Sequence, residues 1–455
     1  MGALTRGRTV TTWAAAAEAL GGGGLRDLTV RNVIRVSAAG TDLRVRLTNA
    51  FGTRPVTFGH VYVGVPLAGA ALVAGSNRLV TFDGRPEVTL PPGTTALSDS
   101  LPDAMVWDEV VPDAIRPDAM PPGRMRPDGM RPDGLGRREA GPGAVPGAGP
   151  RSRLAVSLYL RGSCDTITGR NRATTPARPP EPPSAPAYRS IPGDHAADES
   201  GDAYVGEAAS WHWLDAVTLT APTVRPGAAA VSGVVVLGVA VLGDSIAIGV
   251  GSETGHGWPD LLADRALLES WPLAVANEGV SGGRVLSAGT GRSAEDRLAA
   301  EVLTKPGIDT VILAAGLNDL GAGARAKDLI AAFRRIVASA HAAGVRVVGA
   351  TLTPFAGAEY HTPGGERARQ AVNAFVREDG AFDGLADFDA ALRDPANPAR
   401  LLPRHDCGDH LHPSAAGHLA MAAAINQQTL RRDQPAPAPP RASQPGRPRP
   451  NQPGY

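Results

Sequence analysis

Between residues 25 and 101 the chain alternates apolar and polar side chains in short runs. In LRVRLTNAF (residues 43–51), Leu43, Val45 and Leu47 fall on one face and Arg44, Arg46 and Thr48 on the other, the pattern of a half-buried strand. LTVRNVIRVSAAGTDLRVRL (28–47) reads as two strands joined by a turn at Ala38-Ala39-Gly40-Thr41. The pattern continues in RLAVSLYL (153–160) and resumes in SWHWLDAVTLTAP (210–222). Strands without intervening helices predict an antiparallel β-domain, a sandwich or jelly roll.

From about residue 234 the rhythm changes. A Val-rich strand runs to Gly243, and WPDLLADRALLES (258–270) follows as a helix with Pro259 at its start. LAVAN (273–277) is strand-like, AEDRLAAEVLTKPG (294–307) a helix, and TVILAAG (310–316) a strand. In KDLIAAFRRIVASAHAAG (327–344), Leu329, Phe333, Ile336, Val337 and Ala340 line one helical face, and Gly344 sits where a C-cap belongs. VRVVGATLTP (345–354) and LADFD (385–389) read as strands, GERARQAVNAFVRE (365–378) and PSAAGHLAMAAAI (413–425) as helices. Strands alternating with helices predict a parallel sheet covered on both faces, with reactive groups beyond the carboxyl ends of its strands.

Other segments fit neither pattern. Residues 102–150 repeat a Pro-Asp-small-apolar unit (PDAM, PDAI, PDAM, PDGM, PDGL) near which four of the six Met lie. Proline removes backbone donors and stops both helix and strand, so this reads as a disordered insertion. Residues 175–186 and the tail are Pro-rich linker and end. The expected organisation is therefore a β-rich domain over 1–230 containing the insertion, an α/β domain over 231–432, and a disordered tail over 433–455.

At 455 residues, two domains plus unstructured length is the natural division. Formal net charge is zero and the charges are scattered, so no basic stripe for nucleic acid exists. The longest apolar run, residues 228–243, is shorter than the roughly 20 residues of a spanning helix and is broken by Gly233 and Gly238. At the N-terminus Thr11, Thr12 and Glu18 break any signal-like apolar core, so no signal peptide is expected and the compartment stays open. The two cysteines, Cys164 and Cys407, cannot build a disulfide scaffold or a four-cysteine zinc site. They would bridge only in an oxidising compartment, and the sequence leaves that open.

AVLGDSIAIGVGS (240–252) then admits two chemical readings. Gly249-Val-Gly251-Ser-Glu-Thr-Gly255 has one residue too many for a dinucleotide fingerprint, and no Gly-Lys-Ser/Thr follows it as a P-loop requires. What remains is Ser245 at the carboxyl end of the first parallel strand, a turn serine or a nucleophile. A serine nucleophile needs a base and oxyanion donors. Three later strand ends offer them: Gly282 in NEGVSGGR (277–284), Asn318 in GLND (316–319), and Asp409 with His412 in DCGDHLHPSAAG (406–417). In isolation, Gly282 reads as a flexible turn and Asn318 equally as a helix cap. Asp409 and His412 stand three apart, which in a helical turn puts both on one side. His410 points elsewhere, and His405 and His418 lack an equally placed carboxylate. The His/Asp spacing matches no common zinc pattern.

Taken in this order, Gly243-Asp244-Ser245, Gly282, Gly316-x-Asn318-Asp319 and Asp409-x-x-His412-Pro413 resemble the four blocks of the SGNH/GDSL hydrolase family. The resemblance covers residues 234–428, and flanking stretches such as ATLTPFAGA and FDAALRDP are similar to bacterial GDSL-type esterases with an N-terminal β-domain. Ala247 departs from the Thr of many members, and the Pro-Asp insertion has no counterpart. The resemblance implies a three-layer, flavodoxin-like α/β hydrolase domain preceded by an antiparallel β-sandwich or jelly roll. It implies Ser245 as nucleophile, His412 as general base and acid, and Asp409 as its orienting carboxylate. The Ser245 and Gly282 N–H groups and the Asn318 amide would form the oxyanion hole. The expected activity is hydrolysis of a small-molecule, lipid or glycan ester by a monomer, without metal or organic cofactor, and secretion is expected from the family. Carbohydrate O-deacetylation by the same site and non-catalytic carbohydrate binding are the alternatives.

Overall fold

The computed structural model describes residues 7–21, 24–101, 153–171, 186–221, 236–252, 256–289 and 291–430. The Pro-Asp insertion, the linker over 175–185 and the tail lie outside the described residues.

The N-terminal half is antiparallel. One sheet orders the strands Arg8–Ala14, Leu214–Ala221, Thr41–Thr48 and Thr95–Leu97. A second runs Tyr204–Ala208, Ala187–Pro192, Leu25–Arg35, Arg153–Cys164, Val56–Gly64 and Arg78–Val80, and Val88–Leu90 also pairs with Val56–Gly64. Both send side chains into one buried cluster, which includes Val30, Ile34, Val45, Leu47, Phe58, Leu158, Trp213 and Leu219. Leu43, Val45 and Leu47 are buried, as their alternation predicts.

The two strands expected within 28–47 both form, yet they do not pair with each other. Leu25–Arg35 lies in the larger sheet and Thr41–Thr48 in the smaller. The joining segment is held by the first strand: Ser37 N–H donates to Thr12 O at 2.9 Å, and Thr12 Oγ1 donates to Ala38 O at 3.1 Å. Those bonds carry the chain from one sheet to the other instead of folding it back.

The C-terminal half contains a five-stranded, all-parallel sheet, ordered Leu273–Asn277, Leu237–Gly243, Thr310–Ala314, Arg346–Ala350, Gly384–Ala386. Numbered along the chain this is 2-1-3-4-5, the flavodoxin-like doubly wound order. Trp258–Leu268, Ala326–Ala342, Pro363–Glu378 and Ala415–Ala424 are its longer helices. Leu329, Phe333, Ile336, Val337 and Ala340 are all buried against the sheet. Two expectations are corrected. The helix of 294–307 is α-helical only over Ala294–Arg297 and continues as a π-helix over Leu298–Val302. The strand of 385–389 is confined to Gly384–Ala386, because the Asp387 side chain accepts from Ala390 N–H at 3.0 Å and opens the helix Phe388–Leu392.

The halves meet along the free edge of the parallel sheet. Ala15 forms a parallel bridge with Asn277, and Ser37 Oγ accepts from Val275 N–H at 2.8 Å and contacts Val275 O at 3.0 Å. Arg8 forms a two-pronged pair with Asp309 at 2.6 and 2.7 Å. Edge backbone that would otherwise offer unpaired groups is thus covered. Both cysteines are free, Cys164 buried in the antiparallel half and Cys407 exposed.

Candidate active site

Three loops that leave strands of this sheet converge at its carboxyl edge; the loop of Asp409 and His412, expected at a fourth strand end, instead follows the 3-10 turn Pro403–His405 and leads into the helix Ala415–Ala424. Leaving the strand Leu237–Gly243, Asp244 caps the short helix Ser245–Ile248 by accepting from Ile246 N–H at 3.0 Å. Burial pushes the Asp244 carboxyl up to about 6 against that hydrogen bond. Ser245 is the first residue of the turn, beside the position where the strand order reverses and ligands collect in doubly wound sheets.

Ser245 Oγ lies 2.9 Å from His412 Nε2, and His412 Nδ1 lies 2.6 Å from Asp409 Oδ2. Residues 409–412 are not helical, contrary to the expectation from their spacing. Asp409 instead folds the backbone around itself: its Oδ1 accepts from Leu411 N–H at 2.9 Å and His412 N–H at 2.8 Å. Cys407 N–H donates to His412 O at 3.1 Å, and the Asp406–Pro413 bridge closes the loop. Burial would raise the Asp409 carboxyl. The bonds from the His412 ring and the two N–H groups outweigh burial and hold it below its ordinary value. Desolvation of its sulfur, together with the nearby Asp409 and Asp406 charges, pushes the neighbouring Cys407 thiol up to about 11, so it is no thiolate at neutral pH.

Gly251 backs this loop. It is buried at φ 90°, and a Cβ there would lie 2.5 Å from Pro413 O, 3.0 Å from His412 Cβ and 3.2 Å from Cys407 Cβ.

Asn318 sits in the short helix Leu317–Gly321 and donates through Nδ2 to Gly283 O at 3.0 Å, which brings it beside Gly282. Asp319, almost fully buried, accepts from Val285 N–H at 2.8 Å and Leu286 N–H at 2.9 Å. The loop after Thr310–Ala314 is therefore tied to the loop after Leu273–Asn277. Among the described residues, neither Ser245 N–H nor Gly282 N–H meets an acceptor. Burial raises the Asp319 carboxyl above its usual value although both N–H bonds oppose this.

The five sequence-predicted site residues thus lie on adjoining loops, with direct bonds through Ser245, His412 and Asp409 and through Asn318 to Gly283. Other residues escaped the sequence reading. Asn277 Nδ2 donates to Ala247 O at 2.8 Å and its Oδ1 accepts from Gly279 N–H at 3.0 Å, bracing the Ser245 turn against the glycine loop. Arg297 donates to Glu278 O at 2.5 Å and to Gly243 O at 3.0 Å. Asn277 stood inside a quoted motif; Arg297 carried no local signal. His410 also has a carboxylate, Asp406, at 2.6 Å. That i,i+4 spacing was visible in the sequence. His410 has no hydrogen bond to Ser245, and its ring abuts Gly357. His405 Nε2 accepts from Arg404, and His418 Nε2 lies 3.1 Å from Val250 O. Asp406, Cys407 and Asp409 gather potential metal-ligand atoms within 4.8 Å, but both carboxylates already accept from a histidine.

Residues 241–420 match the model of the GDSL-like lipase/acylhydrolase family, and the chain carries a domain of that family there. Similar solved structures include a G-D-S-L family protein from Desulfitobacterium hafniense DCB-2. It is 21% identical, with a TM-score of 0.34, 41% of this chain and 95% of that chain covered. A GDSL-like lipase from Bacteroides thetaiotaomicron VPI-5482 is 17% identical, with a TM-score of 0.33 and 42% and 86% covered. An acetylxylan esterase from Geobacillus stearothermophilus is 21% identical, with a TM-score of 0.32 and 41% and 90% covered. No curated protein matches the chain.

Proposed function

We propose that the protein is a carboxylic ester hydrolase that works through an acyl-serine. Residues 231–432 carry the chemistry, and the described strands within 1–230 belong to a β-sandwich-like domain beside them. The observation that carries the reading is the unbroken chain from Ser245 Oγ to His412 Nε2 at 2.9 Å and from His412 Nδ1 to Asp409 at 2.6 Å. A hydroxyl, an imidazole and a carboxylate in this order move a proton off the nucleophile and stabilise the resulting imidazolium.

Ser245 Oγ attacks the ester carbonyl as His412 Nε2 takes its proton. The negative charge gathers on the carbonyl oxygen, where the N–H groups of Ser245 and Gly282 are available. Asn318 commits one amide hydrogen to Gly283 O; its second hydrogen serves the oxyanion. Collapse breaks the ester C–O bond, with His412 returning the proton to the departing alcohol. Water, deprotonated by His412, then attacks the acyl-serine, releases the acid and restores Ser245.

The test is turnover of p-nitrophenyl acetate, butyrate, octanoate and palmitate beside acetylated xylan, with the parent and with Ser245→Ala. Hydrolysis of at least one class that disappears in Ser245→Ala is expected, and the preferred class separates a general or lipid esterase from a carbohydrate deacetylase. Undiminished turnover by Ser245→Ala contradicts the reading.

A further inference from the structure

The loop that carries Gly282 is rooted by two guanidinium groups, one from each half of the chain. Arg170, in the antiparallel strand Ile167–Asn171, donates to the carbonyl of Asn277 at 2.5 Å. Arg297 donates to the next carbonyl, that of Glu278, and to Gly243 O just ahead of Asp244-Ser245. Asn277 in turn holds Ala247 O and Gly279 N–H with its side chain. The backbone that aims Ser245 and the backbone that leads to Gly282 thus share one root, and the antiparallel half supplies a donor to it.

Arg170 is itself fixed. It is buried, its guanidinium lies 5.0 Å from the centre of the Trp211 ring, and the Glu18 carboxylate is within electrostatic reach. Other buried charges cross the same junction without touching the loop backbone. Lys305 pairs with Glu278 at 2.8 Å and with Asp215 at 3.6 Å. Arg46 pairs with Asp215 at 3.3 Å and donates to Thr304 O at 3.1 Å. These join the halves; Arg170 reaches the site's own main chain.

We propose that Arg170 is a positioning residue for ester hydrolysis: from the antiparallel half it fixes the Asn277 carbonyl, and through it the 278–283 loop that presents the Gly282 N–H. This rests on the serine-esterase reading above. An oxyanion donor works only at the position where charge develops, and a misplacement of about 1 Å costs on the order of a hundredfold in rate. Removing Arg170 leaves a buried carbonyl unpaired and frees the loop root to move. The substrate carbonyl still enters the site, but the donor meets its oxyanion poorly, so kcat falls and KM does not.

The experiment compares the full-length parent with Arg170→Ala, Arg170→Lys, Arg46→Ala and Ser245→Ala. Intact sites are counted by stoichiometric reaction with a p-nitrophenyl phosphonate, so that a loss of folded molecules is separated from a loss of rate per molecule. Arg170→Ala is expected to lower kcat per titrated site about ten- to hundredfold with KM nearly unchanged. Arg170→Lys, which keeps a cationic donor, should recover part of the loss, and it carries the test if the alanine variant does not fold. Arg46→Ala should lower the thermal midpoint while keeping kcat per site. Parental kcat per site in both Arg170 variants, or an equal loss in Arg46→Ala, overturns the proposal. Turnover surviving in Ser245→Ala would instead remove the reading beneath it.

Discussion

Gly251→Ala tests whether the geometry behind His412, rather than the identity of the three proposed reacting side chains alone, sets the rate. The added methyl would sit 2.5 Å from Pro413 O and 3.0 Å from His412 Cβ, so the 407–413 loop must retreat by about 0.5 Å or more before ordinary contact is restored. Alanine at φ 90° adds about 1–2 kcal/mol of left-handed backbone strain, and overpacking a buried site adds about 1–3 kcal/mol. The loop's shift acts on the 2.9 Å contact between Ser245 and His412, where displacements approaching 1 Å cost about a hundredfold. We expect kcat per phosphonate-titrated site to fall about ten- to hundredfold with a lowered thermal midpoint. Gly344→Ala is the control: φ there is 73° with nothing within 4 Å of the added methyl, so it should lose stability alone. A Gly251→Ala enzyme with parental kcat per site would refute the reasoning.

Three further outcomes follow from the same geometry. Asn318→Ala removes a proposed oxyanion donor and should lower kcat by about a hundred- to a thousandfold, or about 2.7–4 kcal/mol; a change confined to KM would make Asn318 a structural residue of its turn. Asp409→Asn places an amide against His412 Nδ1 and should lower kcat about 10²- to 10⁴-fold, while His410→Ala should stay within about threefold of the parent; the reverse pattern would assign the base to the Asp406–His410 pair. Burial pushes the carboxyls of Glu18 and Glu301 up to about 7 from 4.5. Each therefore holds its proton more tightly folded than unfolded, and its contribution to stability falls as pH rises from about 4.5 to about 7. Chemical denaturation at pH 5 and pH 8 should show Glu18→Gln and Glu301→Gln gaining stability relative to the parent as pH rises; a pH-independent difference would contradict the assignment.

What the sequence made legible was local. The switch from alternating strands to strands interleaved with helices follows from periodicity, and the face of Ala326–Ala342 could be named residue by residue because burial obeys the 3.6-residue repeat. Strand partners were not legible. Whether 28–47 folds back or crosses between sheets depends on Thr12, whose contacts with Ser37 and Ala38 are set by tertiary packing. The proposed reactive residues stood out because Ser245, Gly282 and Asn318 each follow a strand of the parallel sheet and a carboxylate and an imidazole stand three apart in the last block. The loop around Asp409 did not, since a carboxylate that binds its own following N–H groups leaves the same spacing as a helical turn. Least visible were Arg170 and Arg297, which reach carbonyls 107 and 19 residues away. Nothing near them in the chain distinguishes a buried clamp from a surface arginine.

If Ser245 is the nucleophile activated by His412, as proposed, the covalent bond it forms can be observed directly. The native protein is treated with an ester-like organophosphonate, digested and mapped by mass spectrometry, alongside His412→Ala. One phosphonyl group per chain is expected, on Ser245, formed in step with loss of esterase activity and strongly slowed in His412→Ala. Complete inactivation with the label on another residue, or with Ser245 unmodified, would contradict it.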